Sequence, residues 1–127
     1  MTAREPQRDG WYTRYVFFRN RIRSDGRLRW QAFEPKDGET SVYHIRGLGE
    51  QAIWDIGTTK VAGTRTLAGR ADFAGAVVVE ADLRLDPDPP PSRHANIRGW
   101  PTEQPAIMNR AQVLARGSVG LRAPPVA

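Results

Sequence analysis

The segment between residues 11 and 33 constrains the fold most, because it indicates two strands joined by one tight turn. Residues 11–22 are rich in aromatic and β-branched side chains, and residues 27–33 alternate apolar and polar ones after the turn Ser24-Asp25-Gly26. A three-residue loop pairs Ile22 with Leu28 on a mostly apolar face, whereas a two-residue loop mixes arginines with core residues. Since a one-residue slip turns every side chain to the other face, the sequence predicts the three-residue loop, with its glycine left-handed.

The same register gathers arginines on one face of the hairpin. Arg23 falls opposite Arg27 and Arg21 opposite Arg29, and like charges across a ladder destabilise it by roughly a few tenths to 1 kcal/mol per pair. Residues 1–36 carry nine basic and four acidic side chains, so the whole net charge of +5 lies there. Such a face needs an anion nearby. The predicted anion- or partner-binding residues are Arg19, Arg21, Arg23, Arg27 and Arg29.

The anion can be external or internal. An external anion would be a nucleic-acid backbone, a phosphate or an acidic partner protein. Internal neutralisation would come from Glu80, Asp82 and Asp86, if the strand expected at residues 76–85 lay beside the hairpin. Aromatic residues near the hairpin could stack on single-stranded bases. The alternative is that they are core residues, as aromatic residues at strand period more often are. The residues are Trp11, Tyr12, Tyr15 and Trp30.

The pattern after the hairpin predicts an α+β fold. The expected elements are a strand at 41–45, a helix at 47–57, a strand at 76–85 and a helix at 103–116. Residues 58–73 are expected to form a loop with one short strand near 65–67, and the prolines of 86–92 an extended connector. We expect a four- to five-stranded, mainly antiparallel sheet with two helices packed on one face.

The chain length of 127 residues fits one domain. The expected organisation is a flexible leader at 1–10, a single α+β domain at 11–117 and a loose C-terminal tail at 118–127. Seventeen of the 19 basic residues are arginine, which is typical of a GC-rich bacterial genome.

Composition excludes several classes of protein. The absence of cysteine excludes a disulfide framework and a thiolate zinc site, and with only two histidines we expect no metal and no cofactor. No apolar run approaches the roughly 18 residues of a membrane span, and the polar leader has no signal core. The expectation is therefore a cytoplasmic protein that does not bind a membrane.

Two histidines supply the candidates for catalysis. If the fold brought His44 and His94 together, one would act as general base and the other as general acid, with Arg98 steadying a phosphate. The irregular segment 93–101 also offers a loop site made of Arg93, His94, Asn96 and Trp100. The alternative is that His94 and Asn96 only bond local backbone to hold a turn.

The sequence favours a non-enzymatic binding or accessory module that holds an acidic protein or a nucleic acid on its basic hairpin. The alternative is a small metal-independent, ribonuclease-like enzyme or toxin that uses His44 and His94. A second alternative is a structural subunit of a multi-protein assembly, which would show Trp11, Trp54 or Trp100 exposed in a continuous apolar patch.

Overall fold

One antiparallel sheet organises residues 10–124, the part of the chain that the computed structural model describes. Within it the strand order is β4-β5-β2-β1-β3-β6. The strands are β1 Trp11–Val16, β2 Thr40–His44, β3 Gly69–Ala74, β4 Arg84–Pro87, β5 His94–Arg98 and β6 Val119–Arg122. The helices are α1 Glu50–Ile56, α2 Gly75–Glu80 and α3 Ala106–Arg116. The α+β class is confirmed, with six strands and three helices in the described residues instead of four or five strands and two helices.

The main core lies between one face of the sheet and the helices α2 and α3. Alternation along the strands sends every second side chain into this layer. Phe33, Val42, Phe73, Ile97 and Leu114 are fully buried there. The short 3₁₀ helix Trp30–Phe33 packs against α3 and closes the end of the layer nearest the hairpin.

The opposite face carries a smaller core under α1, which continues as a π-helical turn over Gly57–Val61. The Tyr15 hydroxyl donates a hydrogen bond of 2.5 Å to the carbonyl of Ile53 in α1. The two predicted helices therefore lie on opposite faces of the sheet, and the expectation of one shared face is wrong. The physical reason is that both faces present apolar side chains, since Tyr43 and Ile45 are buried on this side.

The predicted strand at 76–85 is also wrong. Its first half forms α2, and only Arg84–Pro87 pairs in the sheet, as β4. Val78 is fully buried while Val79 is 40 % exposed. Tertiary packing overrides the β propensity of the valine run here, because α2 fits against α3 and its Val77 fills the space beside Gly117.

The segment expected to be a loop supplies a central strand. β3 pairs with β1 over six positions, from Trp11↔Ala74 to Val16↔Gly69, whereas residues 65–67 are not a strand. Its sequence, GRADFA, contains no β-branched residue, which is why strand propensity did not reveal it. Close packing requires glycine at position 69, because a Cβ there would collide with the Leu121 carbonyl and the Ile22 side chain.

The C-terminal region is more ordered than expected. Val119–Arg122 form β6, paired with β3 at the edge of the sheet, where a loose tail at 118–127 was expected. Residues 125–127 and the leader up to residue 9 lie outside the described part of the chain. No helix within residues 10–124 is long and apolar enough to cross a membrane.

The remaining boundaries move by a few residues. Both α1 and α3 begin three residues later than predicted, and Gly117 ends α3 as expected. The segment 93–101, expected to be irregular, contains β5. Its buried Ala95 and Ile97 alternate with the polar residues His94, Asn96 and Arg98.

Candidate functional site

The hairpin keeps its predicted turn but not its long strands. Ile22 and Leu28 are bridge partners, and Gly26 has a φ of +87°. The three-residue loop is therefore confirmed. The first strand stops at Val16, and a 3₁₀ turn at Arg19–Arg21 separates it from the short pairing around Ile22 and Leu28.

The two predicted pairs of arginines lie opposite each other along the backbone. The backbone amide of Arg23 donates to the carbonyl of Arg27, and the backbone amide of Arg29 donates to the carbonyl of Arg21, each at 2.8 Å. Arg23, Arg27 and Arg29 are exposed and Arg21 is partly buried. Arg19 is exposed as well, but it lies in the 3₁₀ turn outside the ladder.

The acids considered as internal partners do not neutralise these arginines. Asp82 and Asp86 pair with arginines of α3, β4 and β5, and Glu80 lies at the end of α2. Among the described residues, the one ion pair of a hairpin arginine joins Arg27 Nε to the Asp25 carboxylate at 3.6 Å. Both partners are mostly exposed, and such a pair contributes about 0–1 kcal/mol. The hairpin charge is thus left largely uncompensated.

A cleft of about 300 Å³ lies between the hairpin and α3. Its polar lining consists of three arginines and two glutamines, and among the described residues that line it there is no carboxylate. Trp30 supplies an aromatic wall. We call this the arginine cleft, and its polar residues are Arg23, Arg29, Arg116, Gln31 and Gln112.

The aromatic residues near the hairpin differ in accessibility. Tyr12 and Tyr15 are buried in the two cores, so they cannot stack on a ligand. Trp11 is 48 % exposed and Trp30 is partly buried. Phe18, which sequence reasoning missed, is 63 % exposed, and the guanidinium carbon of its neighbour Arg21 lies 5.2 Å from its ring centroid.

The two histidines lie on opposite faces of the sheet. Tyr43 and His94 are register partners with ring centroids 5.2 Å apart, so His94 lies on the α1 face. His44 is the next residue along β2 and contacts Tyr12 on the main-core side, at 5.1 Å between centroids. Successive strand side chains point to opposite faces. The imidazoles therefore share no cleft and do not form the acid–base pair of the ribonuclease hypothesis.

His94 is the centre of a hydrogen-bonded chain that also contains Ser41 and Asp88. Its Nδ1 lies 2.8 Å from the Asp88 carbonyl oxygen, which can only accept, so Nδ1 carries the proton. Nε2 is then free to accept from the Ser41 hydroxyl at 2.7 Å. The Asp88 carboxylate lies 3.7 Å from Nδ1 and accepts a bond of 2.8 Å from Asn96 Nδ2.

The other candidates of the 93–101 segment make structural contacts. Arg98 pairs with Glu39 at 2.9 Å and with Asp86 at 3.3 Å, and these hydrogen bonds raise its pKa. Arg93 donates to the carbonyls of His44, at the end of β2, and Arg46, and Trp100 Nε1 donates to a carbonyl of β5. These three side chains are committed to holding the segment in place.

The centre of the sheet contains a gap beside Ser41. β1 and β2 share two register pairs, at Tyr12↔His44 and Thr13↔Tyr43, and then diverge. Arg14 fills the opening, since its Nη1 donates to the Ser41 carbonyl at 2.9 Å and its Nε to the Ala32 carbonyl at 3.1 Å.

A cavity of about 470 Å³, which we call the sheet-gap pocket, opens where the strands part. Ser41 lines it together with three cations and two acids. The acid at position 39 is already paired with Arg98. The charged residues of the pocket are Arg14, Lys36, Arg65, Asp37 and Glu39.

Burial, and secondarily the charge of Arg65, lowers the pKa of Arg14 to about 10. Among the described residues Arg14 has no carboxylate partner, and its bonds go to neutral carbonyls. A negative charge placed in the pocket would therefore stabilise this guanidinium.

No family model, curated protein or solved structure matches this chain. Within residues 10–124, no group of three or more His, Asp or Glu side chains is arranged to hold a metal ion.

The three tryptophans named for a structural subunit differ in their surroundings. Trp54 lies under Arg70, whose guanidinium carbon is 4.5 Å from the ring centroid, and Trp100 packs against the main core. Trp11 is the exposed one. The structural-subunit alternative therefore stays a prediction.

Proposed function

We propose that the protein binds nucleic acid through its arginine hairpin and the adjoining arginine cleft. The observation that carries this proposal is the lining of the cleft, where Arg23, Arg29 and Arg116 lie with Trp30 and, among the described residues, no carboxylate joins them. Guanidinium groups match phosphate oxygens with two parallel hydrogen bonds. A phosphodiester backbone would also relieve the repulsion between the opposed hairpin arginines.

The exposed aromatic residue beside the arginines favours single-stranded nucleic acid over an acidic protein. Phe18 is 63 % exposed next to Arg21. Stacking of a base on an aromatic ring contributes about 1–3 kcal/mol and tolerates any base. An acidic peptide offers carboxylates but no planar base for such a ring. The proposed setting is the cytoplasm of a bacterium: the arginine-rich composition supports the bacterial origin, and the lack of an apolar run of membrane length supports the location.

The test is binding of labelled single-stranded RNA and DNA, measured by fluorescence anisotropy across a salt series. Each neutralised phosphate contributes about −0.7 to the slope of log K against log salt for single strands, so three cleft arginines predict a slope near −2. Replacement of Arg23, Arg29 and Arg116 by Ser should abolish most of the binding and flatten the slope.

A matched control removes the same charge elsewhere. Arg46, Lys60 and Arg84 are exposed and outside the cleft, so their replacement by Ser should leave most of the affinity intact. Equal losses in the two triple variants would show that only the net charge matters. Absence of binding at low salt would overturn the proposal.

Competition separates the two partner classes. Poly-glutamate supplies carboxylates at similar charge density but no bases. If it displaces the RNA as well as unlabelled RNA does, an acidic protein becomes the better partner. If Phe18→Ala weakens RNA binding and leaves poly-glutamate binding unchanged, the nucleic-acid assignment is strengthened.

A further inference from the structure

We propose that Ser41 and His94 form a catalytic pair that hydrolyses small anionic carboxylic esters in the sheet-gap pocket. This activity lies on the α1 face of the sheet and is separate from the arginine cleft on the α3 side. It does not depend on the proposed nucleic-acid binding.

The hydrogen bonds already place the proton where this chemistry needs it. The Asp88 carbonyl fixes the proton on Nδ1 of His94, so the lone pair of Nε2 faces the Ser41 hydroxyl at 2.7 Å. A nucleophile bonded to a base, with the base oriented by a third group, is the arrangement that activates serine in hydrolases on unrelated folds. The Asp88 carboxylate, 3.7 Å from Nδ1, stabilises the imidazolium formed during reaction.

The serine also has access to a cavity of suitable size. Ser41 is half-buried and lines the pocket of about 470 Å³, within the range of roughly 300–1,000 Å³ that small-molecule sites occupy. The divergence of β1 and β2 creates this space, because a continued ladder would fill it with paired backbone. A purely structural link between β2 and β5 would require no such opening.

The charges of the pocket define the class of substrate. Arg14 and Lys36 have no ion pair among the described residues, and Arg14 lies within 2.9 Å of the Ser41 carbonyl. These cations can hold a carboxylate of the substrate and the oxyanion that develops at the reacting carbon. An ester that carries its own negative charge fits this pocket better than a neutral one.

The reaction balances with water as the co-reactant. The Ser41 oxygen bonds to the ester carbonyl carbon while its proton moves to His94 Nε2, and the alcohol leaves with that proton. Water then adds to the acyl carbon and gives a proton to Nε2. The bond from the acyl carbon to Ser41 breaks, and the serine regains the proton. Ester and water become carboxylic acid and alcohol without any oxidation.

A fluorophosphonate probe tests the nucleophile directly. Attack by Ser41 forms an oxygen–phosphorus bond, expels fluoride and passes the proton to His94. Mass spectrometry of the folded wild-type protein should locate the adduct on Ser41. His94→Gln should slow labelling by about 100-fold or more, the usual contribution of a general base. His44→Gln, on the opposite face, should label at the wild-type rate.

Hydrolysis tests the substrate class. The 4-nitrophenyl monoester of succinic acid, which is an anion, should react at least about tenfold faster than neutral 4-nitrophenyl butyrate. Lys36→Gln should remove most of that preference. Absence of an adduct on Ser41 in the wild-type protein, or equal labelling of wild type and His94→Gln, would overturn the proposal. In that case Ser41→Ala would alter stability alone.

Discussion

The backbone amide of Gly120 donates a hydrogen bond of 3.0 Å to the carbonyl of Gly26, which joins the edge strand β6 to the turn of the arginine hairpin. This bond holds the turn of the hairpin against the sheet, in addition to the hairpin's own short pairing. A Cβ at position 120 would lie 2.6 Å from the Gly26 carbonyl oxygen and 2.8 Å from the Leu28 side chain.

We expect Gly120→Ala to destabilise the protein by about 1–3 kcal/mol, the usual cost of forcing an extra methyl group into a packed site. The measurement is the free energy of unfolding in urea. Gly49→Ala is the matched control, since a Cβ there meets nothing within 4 Å. Similar stability in the two variants would contradict the close contact between β6 and the turn.

The opposed arginines predict a variant in which stability and binding change in opposite directions. Arg29→Glu places a carboxylate opposite Arg21 and should raise the free energy of unfolding by roughly 0.2–1 kcal/mol. The same change introduces an acid into the arginine cleft and should weaken RNA binding. Lys60→Glu alters the net charge equally, but it should have little effect on the free energy of unfolding or on RNA binding. Unfolding in urea and fluorescence anisotropy provide the two measurements.

His44 predicts a dependence of stability on pH. Burial, aided by the charges of Arg93 and Arg46, lowers its pKa in the folded state, and its buried Nε2 has no hydrogen-bond partner. The unfolded chain then binds a proton more readily, so stability is complete above pH ~6.5 and falls below it. His44→Gln should flatten the stability profile below pH ~6.5. If the slope of stability against pH is unchanged in the variant, other groups control the pH dependence of stability.

Arg70 predicts a large loss of stability on truncation. Its side chain is 1 % exposed and pairs with Asp72 at 3.0 Å and Glu50 at 2.6 Å. Arg70→Met leaves the Asp72 carboxylate without its cation and should cost about 3 kcal/mol. Glu50 is 71 % exposed, so Glu50→Gln should cost less than about 1 kcal/mol. Comparable losses in urea unfolding would contradict this ranking.

Local patterns identified the hairpin register because turn chemistry and alternation agree there. The same reasoning gave the wrong secondary structure where tertiary packing determines whether a segment is a helix or a strand. The valines of 76–80 have strand propensity but form α2, and Gly69–Ala74 lack that propensity but form β3. The local sequence does not show which of the two segments is a helix and which is a strand, since the contacts that determine this come from residues far along the chain.

The Ser41–His94 pair could not be found from sequence for a similar reason. His94 was a candidate, but its partner depends on the pairing of β2 with β5, and β5 was expected to be irregular. Ser41 lies opposite Asn96, so the hydrogen bond to His94 is a diagonal cross-strand contact. The positive charge of Arg116 in the cleft was missed because α3 packs beside a hairpin that lies far from it in the sequence.

The narrow junction between β1 and β2 has a mechanical consequence. It divides the sheet into two halves, β1–β3–β6 and β2–β5–β4, and the Arg14 guanidinium of β1 spans the divide through its hydrogen bond to the Ser41 carbonyl of β2. Opening along this seam breaks fewer hydrogen bonds than opening within either half, so amide exchange should be fastest there. An anion held by Arg14 would draw the halves together, and occupancy of the pocket would then stiffen the molecule.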